Sequence, residues 1–355
     1  MPKDIRSLVF LIPGPLESRT GGYEYDRRMI AGLRARGWSI EVRELHGSFP
    51  HPTSAALDAA ARVLAAIPDR TTVLIDGLAL GAMPAEVERE ASRLRIVALV
   101  HLPLAAEIGI THDMAARLEA SERRALAAAS LVIVTGKATT AALASYGVAS
   151  NLITVVEPGT DRAPLARGSR EGPLHLLCVA TLNPGKGHDM LFRALAAVPH
   201  GDWRLTCAGS LERHPATVDR VRARLRTDGL EARVSLVGDL DAATLAACYD
   251  HADLFVLATL HESYGMAVAE ALARGLPVVS TATGAISDLV GDEAGLLVPA
   301  GDTGALTSAL SQVLGDGHLR ARLAEGARRV RDRLPTWDVA VGKMAAALEH
   351  VSTGG

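Results

Sequence analysis

The chain of 355 residues has only three cysteines, and no two of them form a C-x-x-C motif. That spacing argues against a cysteine zinc site and against a disulfide-rich secreted domain. Cys178, Cys207 and Cys248 each lie in an apolar segment, so we expect reduced thiols in the protein core. Reduced thiols indicate a cytoplasmic protein.

An excess of one charge and a long hydrophobic run are also missing. The chain carries 37 basic and 40 acidic residues, which give no positive field for nucleic acid or an anionic membrane. The longest stretch without Asp, Glu, Lys or Arg is 138–156, and it contains Thr, Ser, Tyr and Asn rather than continuous hydrocarbon. We therefore expect no nucleic-acid partner and no membrane span.

What the sequence does contain is a repeated alternation of strand and helix patterns. Short β-branched segments alternate with longer segments rich in Ala, Leu and Arg, which predicts parallel strands joined by helices. The predicted strands of the first half are SLVFLIP, SIEVREL, TTVLID, RIVALVHLP, SLVIVTG and LITVVEP. The second half contains LHLLCVATL, WRLTCAGS, RVSLVGDL, DLFVLAT, LPVVST and GLLVPA.

A linker rich in Gly, Pro and charge, near residues 158–172, separates the two halves. The length of the chain also suits two cores rather than one. We predict an α/β protein of two doubly wound, Rossmann-like domains, 1–165 and 166–335, that face each other across a cleft. The final segment, 336–355, has helical spacing and could pack back on the first domain.

Ligands of such sheets bind beyond the carboxyl ends of the strands. His101 directly follows the apolar strand IVALV, so its position favours a ligand site over a core histidine. We expect it to position a ligand, and nothing in the sequence requires it to remove a proton.

Two carboxylates, Glu262 and Glu270, lie in the apolar segment 261–280, HESYGMAVAEALARGLPVVS. The segment predicts strand, loop, helix, turn and strand, and the helix has apolar residues on nearly every side, so we expect it to be buried. An unpaired buried charge is costly. Arg274 could pair with Glu270, and a helix dipole could favour Glu262. A ligand with sugar hydroxyls and phosphates would satisfy both carboxylates and the amides at the helix start.

This segment, with two glutamates separated by seven residues, resembles the signature of the retaining GT-B glycosyltransferases of family 4, also called group 1. The resemblance extends over the whole chain. It includes VATLNPGKGHDML, CAGSLERHP and VVEPGTD, and in the first half TGGYEYDRRMIAGLRARGW and VHLPLAAE.

The resemblance implies a nucleotide-sugar site in the second domain. Glu270 would bind the ribose hydroxyls, and Lys186 in PGKGH would stabilise the negative charge that grows on the departing diphosphate. On its own, Lys186 is typical of an exposed loop. Glu262 would hold the transferred sugar and the phosphates together with the backbone amides of Ser263, Tyr264, Gly265 and Met266.

Further positions follow from the same resemblance. His101 would contact the donor sugar, and the backbone near Leu240 would read the base. Thr181 stands where the family commonly has an arginine that shares the diphosphate with the lysine. Asp239 and Asp241 form a D-x-D motif, but Asp241 is better explained as a helix cap, so we expect no metal.

Near the N-terminus, Gly21 and Gly22 would end a loop and let the backbone approach the diphosphate. A Gly-Gly pair alone is usually a turn. Tyr23 would line the acceptor side. Glu107 could reach the acceptor, or it could be a solvated carboxylate.

The resulting expectation is a retaining glycosyltransferase without a cofactor. It would move a sugar from a nucleoside-diphosphate sugar to a hydroxyl of a small or soluble acceptor or a glycan. No activated protein nucleophile is evident in the sequence, which fits a front-face route in which the departing phosphate accepts the proton. Two alternatives stay open, namely a catalytically weak nucleotide-sugar-binding subunit and another enzyme of the same fold, such as an epimerase or a phosphorylase.

Overall fold

The computed structural model describes residues 6–199 and 201–353, and within them twelve strands form two parallel sheets of six. The first sheet contains β1 (Ser7–Pro13), β2 (Ser39–Leu45), β3 (Thr72–Asp76), β4 (Arg95–Val100), β5 (Leu131–Val134) and β6 (Ile153–Val155). The second contains β7 (Leu174–Val179), β8 (Trp203–Ala208), β9 (Val234–Gly238), β10 (Leu254–Leu257), β11 (Val278–Thr281) and β12 (Gly295–Val298).

Helices separate the strands along the chain. Those up to β6 are α1 (Gly21–Ala35), α2 (Ser54–Ala65), α3 (Gly77–Leu80), α4 (Pro84–Glu90), α5 (His112–Ala127) and α6 (Lys137–Ser145). Those after β7 are α7 (His188–Ala196), α8 (Pro215–Thr227), α9 (Ala242–His251), α10 (Met266–Leu272), α11 (Ile286–Val290), α12 (Thr303–Gly315), α13 (Gly317–Arg331) and α14 (Trp337–Thr353). Across the described part of the chain, every helix is too short or too polar to cross a lipid bilayer.

Every predicted strand is present, and the prediction of two doubly wound sheets is confirmed. The bounds of β1 and β2 agree with the predicted segments, whereas the other strands are shorter than predicted. The segment RIVALVHLP ends its strand at Val100, since His101 to Pro103 belong to the following loop. Proline has no amide to donate to a strand ladder, which accounts for the early end.

Both sheets change winding direction once. The strand order is β2-β1-β3-β4-β5-β6 in the first sheet and β12-β11-β10-β7-β8-β9 in the second. The direction therefore changes between β1 and β3, and again between β7 and β10. Ligands of open α/β sheets bind beside such switch points, at the carboxyl ends of the two strands.

Each sheet has central strands that are buried on both faces. All residues of β3, β10 and β11 are buried, in agreement with their nearly continuous apolar sequences. The chain divides into two compact units, one of Met1–Gly159 with Trp337–Gly355 and the other of Thr160–Thr336.

The C-terminal helix α14 packs against α1 within the first unit. A glycine makes this close approach possible, because a Cβ atom on Gly32 would lie 2.4 Å from Cγ2 of Val341. An ion pair between Arg36 and Asp338 lies at the start of α14. The two helices therefore pack closely at Gly32, where there is no space for a larger side chain.

We expect Gly32→Ala to destabilise the first unit, although alanine normally favours a helix over glycine by roughly 1 kcal/mol. The added methyl group overlaps Val341, and overpacking of this kind costs about 1–3 kcal/mol. Val341→Ala in the same chain should recover part of the loss. A double-mutant cycle on the free energy of unfolding measures this coupling. A stabilised Gly32→Ala protein would contradict the packing.

Candidate functional site

Two loops meet at the switch point of the second sheet, one after β7 and one after β10. The carbonyl of Gly185 accepts hydrogen bonds from the amide of Leu260 (2.7 Å) and the hydroxyl of Thr259 (3.1 Å). These bonds hold the loop that contains Lys186 against the loop that contains Glu262. The topology thus brings together two residues that are 76 positions apart in the chain.

A glycine is required where these loops touch. Gly187 has a φ of +67°, and a Cβ atom there would lie 1.9 Å from the carbonyl oxygen of Ala258. Only glycine fits this left-handed conformation and close backbone approach. The preceding 3₁₀ turn, Pro184–Lys186, is capped by Asn183, whose side chain accepts from the amide of Lys186 at 3.1 Å.

The side chains of Lys186 and Glu262 form an ion pair. Lys186 Nζ lies 2.6 Å from Glu262 Oε2, and the two side chains are 27% and 15% exposed. Removing one partner of a pair with restricted solvent access leaves the other charge poorly compensated. The site therefore presents a cation that can bind phosphate beside a carboxylate that can accept hydrogen bonds from hydroxyl groups.

Glu270 lies on α10, whose other residues include the fully buried Val268, Ala269, Ala271 and Leu272. The predicted burial of this helix is confirmed. The helix ends at Leu272 with an αR cap at Ala273, one turn before the Gly-Leu-Pro segment.

A tyrosine orients the carboxylate of Glu270. The hydroxyl of Tyr249 donates to Glu270 Oε2 at 3.0 Å, while Arg274 Nη1 donates to the main-chain oxygen of Glu270 at 2.9 Å. The Arg274 guanidinium also stacks over the Tyr249 ring at 4.3 Å. Burial, followed by the Glu270 charge, raises the pKa of Tyr249 well above its usual value, so the phenol stays a donor. Sequence reasoning missed Tyr249.

The segment 263–265 leads into α10. Tyr264 is buried against Ala269 and Ala285, so its ring faces the core. Gly265 has a φ of +97° and precedes the first residue of α10, Met266, which is half-buried. The carbonyl of Ser263 accepts from the amide of Ala285 at 3.2 Å.

Of the remaining predicted positions in the second unit, Thr181 lies in the same loop as Lys186, and Leu240 and Asp241 lie after β9. Thr181 starts the loop after β7, where its carbonyl accepts from the amide of Asn183 at 2.9 Å. Leu240 is half-buried after β9, an edge strand that is separated from β7 by β8. The cap predicted at Asp241 is confirmed, since its side chain accepts from the amide of Thr244 at 2.8 Å.

The first unit contains a second charged cluster, built around His101. Its Nε2 lies 3.4 Å from Asp26 Oδ1 and 3.6 Å from Asp76 Oδ2. Both carboxylates are buried, with 1% and 4% of their surface exposed. Tyr25 contacts the imidazole edge-on, with 5.3 Å between ring centroids. A Cβ atom on Gly22 would lie 3.5 Å from Cδ2 of His101, an ordinary contact distance, so the start of α1 lies directly beside the imidazole.

The charges in this cluster act on the protonation of His101 and Asp76. Burial lowers the pKa of His101. The hydrogen bond and negative charge of Asp26 and the negative charge of Asp76 outweigh burial, so the pKa of His101 is raised. Burial, together with the charge of Asp26, raises the pKa of Asp76 from 3.8 to about 7. Sequence reasoning missed both aspartates, although Asp76 ends strand β3 at the carboxyl edge just as His101 follows β4.

Gly21 and Gly22 are the first residues of α1 rather than the end of the preceding loop. The hydroxyl of Tyr23 donates to the carbonyl of Pro13, at the end of β1. Glu107 is 42% exposed and lies 3.7 Å from Nε2 of His51, apart from the cluster around His101. This exposure favours the interpretation of Glu107 as a solvated carboxylate.

Comparison with known proteins supports the resemblance. Residues 173–316 match the family model described as Glycosyl transferases group 1. A D-inositol 3-phosphate glycosyltransferase of Xylanimonas cellulosilytica is 33% identical over 217 residues, which cover 56% of this chain and 51% of the relative. The chain spans about half the length of the curated relatives it matches.

Solved structures share the fold over nearly the whole chain. A sucrose-phosphate synthase from Thermosynechococcus elongatus has a TM-score of 0.82 and 21% identity, and the match covers 96% of this chain and 98% of the other. Anabaena HepE in complex with UDP and glucose has a TM-score of 0.75 and 19% identity, with 97% and 99% covered. At these identities the likeness shows the fold alone, and that fold is GT-B.

The raised pKa values around His101 predict a stability that falls with pH. A folded pKa above the unfolded value contributes stability that is complete below the unfolded pKa and is lost as pH rises through the folded pKa. For Asp76 this window runs from about 4 to about 7, and it amounts to a few kcal/mol on an order-of-magnitude scale. His101 acts in the same direction.

We therefore expect the thermal midpoint of the first unit to fall between pH 5 and about 8, and Asp76→Asn to make the fall smaller. Glu122, whose pKa burial also raises to about 7, contributes a separate part that Glu122→Gln should remove. Differential scanning calorimetry across this range measures both effects. An unchanged pH dependence in Asp76→Asn would show that Asp76 ionises normally.

Proposed function

We propose that this chain is a retaining glycosyltransferase, because residues 173–316 match the model of group 1 glycosyltransferases and the fold is GT-B. It moves a hexose-type sugar from a nucleoside diphosphate to a hydroxyl group of a small acceptor. The observation that carries this proposal is the ion pair between Lys186 and Glu262 at the switch point of the second sheet, with 2.6 Å between Nζ and Oε2.

Lys186 acts on the leaving group. As the bond between sugar and diphosphate breaks, negative charge accumulates on the phosphate oxygens, and a fixed ammonium lowers the energy of that state. Gly187 holds the loop in place by its contact with Ala258. Glu262 then accepts hydrogen bonds from hydroxyl groups of the transferred sugar while Lys186 turns to the diphosphate.

Glu270 binds the ribose of the donor. Its carboxylate is held by Tyr249 through one oxygen, and a vicinal diol can donate two hydrogen bonds to a carboxylate. Charged hydrogen bonds of this kind are stronger than neutral ones. Retention follows the front-face route, in which a departing phosphate oxygen takes the acceptor's proton and no protein nucleophile is used.

We assign acceptor binding to the first unit, where Gly22 at the start of α1 lies beside His101. The matched relatives include enzymes named D-inositol 3-phosphate glycosyltransferase, and that name supports a small polyol acceptor. The proposed sugar transfer itself uses no cofactor. Free thiols at Cys178, Cys207 and Cys248 support a cytoplasmic location.

One observation favours a second candidate, a nucleotide-sugar-binding subunit with little turnover. The loop from Thr181 to Gly187 contains a single basic residue, Lys186, so one ammonium carries the leaving-group role that two cations commonly share. Donor binding by the isolated chain without transfer or hydrolysis would favour this candidate.

Lys186→Ala should lower turnover by roughly two to three orders of magnitude, the scale for losing a key electrostatic group. Lys343→Ala, which removes an exposed lysine of α14, is the matched control and should behave like the wild type. Steady-state transfer assays with saturating donor separate turnover from binding. Wild-type turnover in Lys186→Ala would exclude the proposed role.

Glu270→Ala should weaken nucleoside-diphosphate binding by roughly tenfold to a hundredfold, since a hydrogen bond to a charged group contributes about 1.5–3 kcal/mol. Tyr249→Phe should give a smaller loss, because the carboxylate remains but loses its orienting hydroxyl.

Isothermal titration calorimetry measures both variants, with circular dichroism to verify folding. Glu231→Ala, at an exposed carboxylate of the same unit, serves as the control. Equal affinity of Glu270→Ala and the wild type would remove Glu270 from the site.

A further inference from the structure

Two of the three cysteines lie side by side beneath the Lys186 loop. Cys178 on β7 and Cys207 on β8 are direct partners in the strand register. His188, the first residue of α7, completes a cluster in which one candidate ligand atom of each residue lies within 4.8 Å of the others. All three side chains are at most 2% exposed.

We propose that Cys178, Cys207 and His188 form a binding site for a thiophilic d¹⁰ metal ion, Zn²⁺ or Cu⁺. Two sulfur atoms and one imidazole nitrogen make up a soft ligand set, which zinc and monovalent copper prefer and which magnesium and calcium avoid. Neither a C-x-x-C motif nor a paired histidine marks this site in the sequence, because the fold assembles it from two strands and a helix.

The geometry of the cluster suits such an ion. Cys178 Sγ lies 3.8 Å from His188 Nε2. An ion bonded to sulfur at about 2.3 Å and to nitrogen at about 2.1 Å, in a trigonal arrangement, holds the two ligand atoms about 3.8 Å apart. A hydrogen bond between the thiol and the imidazole gives the same separation, so metal binding has to be measured directly.

The position of the cluster links it to the loop that contains Lys186. His188 follows Lys186 and Gly187 directly, so an ion on its imidazole would fix the start of α7 and the backbone that carries Lys186. The site uses none of the side chains assigned to the donor. Only this link to donor binding rests on the proposed function, since metal binding itself is independent of it.

The test is a metal titration of the full chain, reduced and freed of metal by a chelator, with no donor or acceptor present. One arm uses Zn²⁺ and the other uses Cu⁺ without oxygen, each in competition with a chromophoric chelator. We expect one ion per chain in at least one arm. Cu⁺ accepts three ligands, whereas zinc requires a fourth, so the preferred ion also reports the coordination number.

Cys178→Ser and Cys207→Ser should each weaken binding at least about tenfold, because the metal loses a sulfur ligand. Cys248→Ser, which changes the half-buried third cysteine on α9, should bind like the wild type. Failure of the wild type to bind either ion, or equal binding by all three variants, would overturn the proposal. Loss of binding in Cys248→Ser would do the same.

X-ray absorption spectroscopy of the wild type covers the case in which a serine variant misfolds. Two sulfur neighbours and one nitrogen neighbour are expected around the bound ion. A shell of oxygen and nitrogen alone would place the ion elsewhere and contradict the assignment. Neither measurement uses transfer activity, so failure of this site and failure of the glycosyltransferase proposal can be told apart.

Discussion

The site in the second unit depends on the close backbone approach between Gly187 and Ala258. A Cβ atom at position 187 would lie 1.9 Å from the Ala258 carbonyl oxygen, so the two loops can meet only if that residue is glycine. Because they meet, Lys186 and Glu262 form an ion pair although 76 residues separate them. An ammonium that can hold diphosphate thereby lies beside a carboxylate that can hold sugar hydroxyls.

Both units hold carboxylates that have little access to solvent, and they stabilise them in different ways. In the second, Lys186 pairs with Glu262, and the buried phenol of Tyr249 orients Glu270. In the first, Asp26 and Asp76 lie beside His101, and burial with mutual charge raises the pKa of Asp76 to about 7. Asp76 can therefore gain or lose a proton near neutral pH, whereas Lys186 and Glu262 form an ion pair.

Much of the fold could be predicted from the sequence, because buried parallel strands are nearly continuous apolar runs. Lys186, Glu262 and Glu270 could be proposed as donor-site residues from the sequence, because the family resemblance marks those positions, and their roles stay predictions. Tyr249 could not, because it reaches Glu270 from another helix. Asp76 could have been predicted too, because it lies at the carboxyl end of a strand, which is the criterion that was applied to His101. The Cys178, His188 and Cys207 cluster depends on the register between β7 and β8, which no local pattern reveals.

Hydrogen exchange measured by mass spectrometry, with and without a nucleoside diphosphate, tests the central claim most directly. Ligand binding should slow amide exchange in the segments 183–187 and 259–270 of the second unit, because those loops and α10 would contact the diphosphate and the ribose. Slowing confined to other segments, or no change with any nucleoside diphosphate that binds, would contradict the assignment of the donor site.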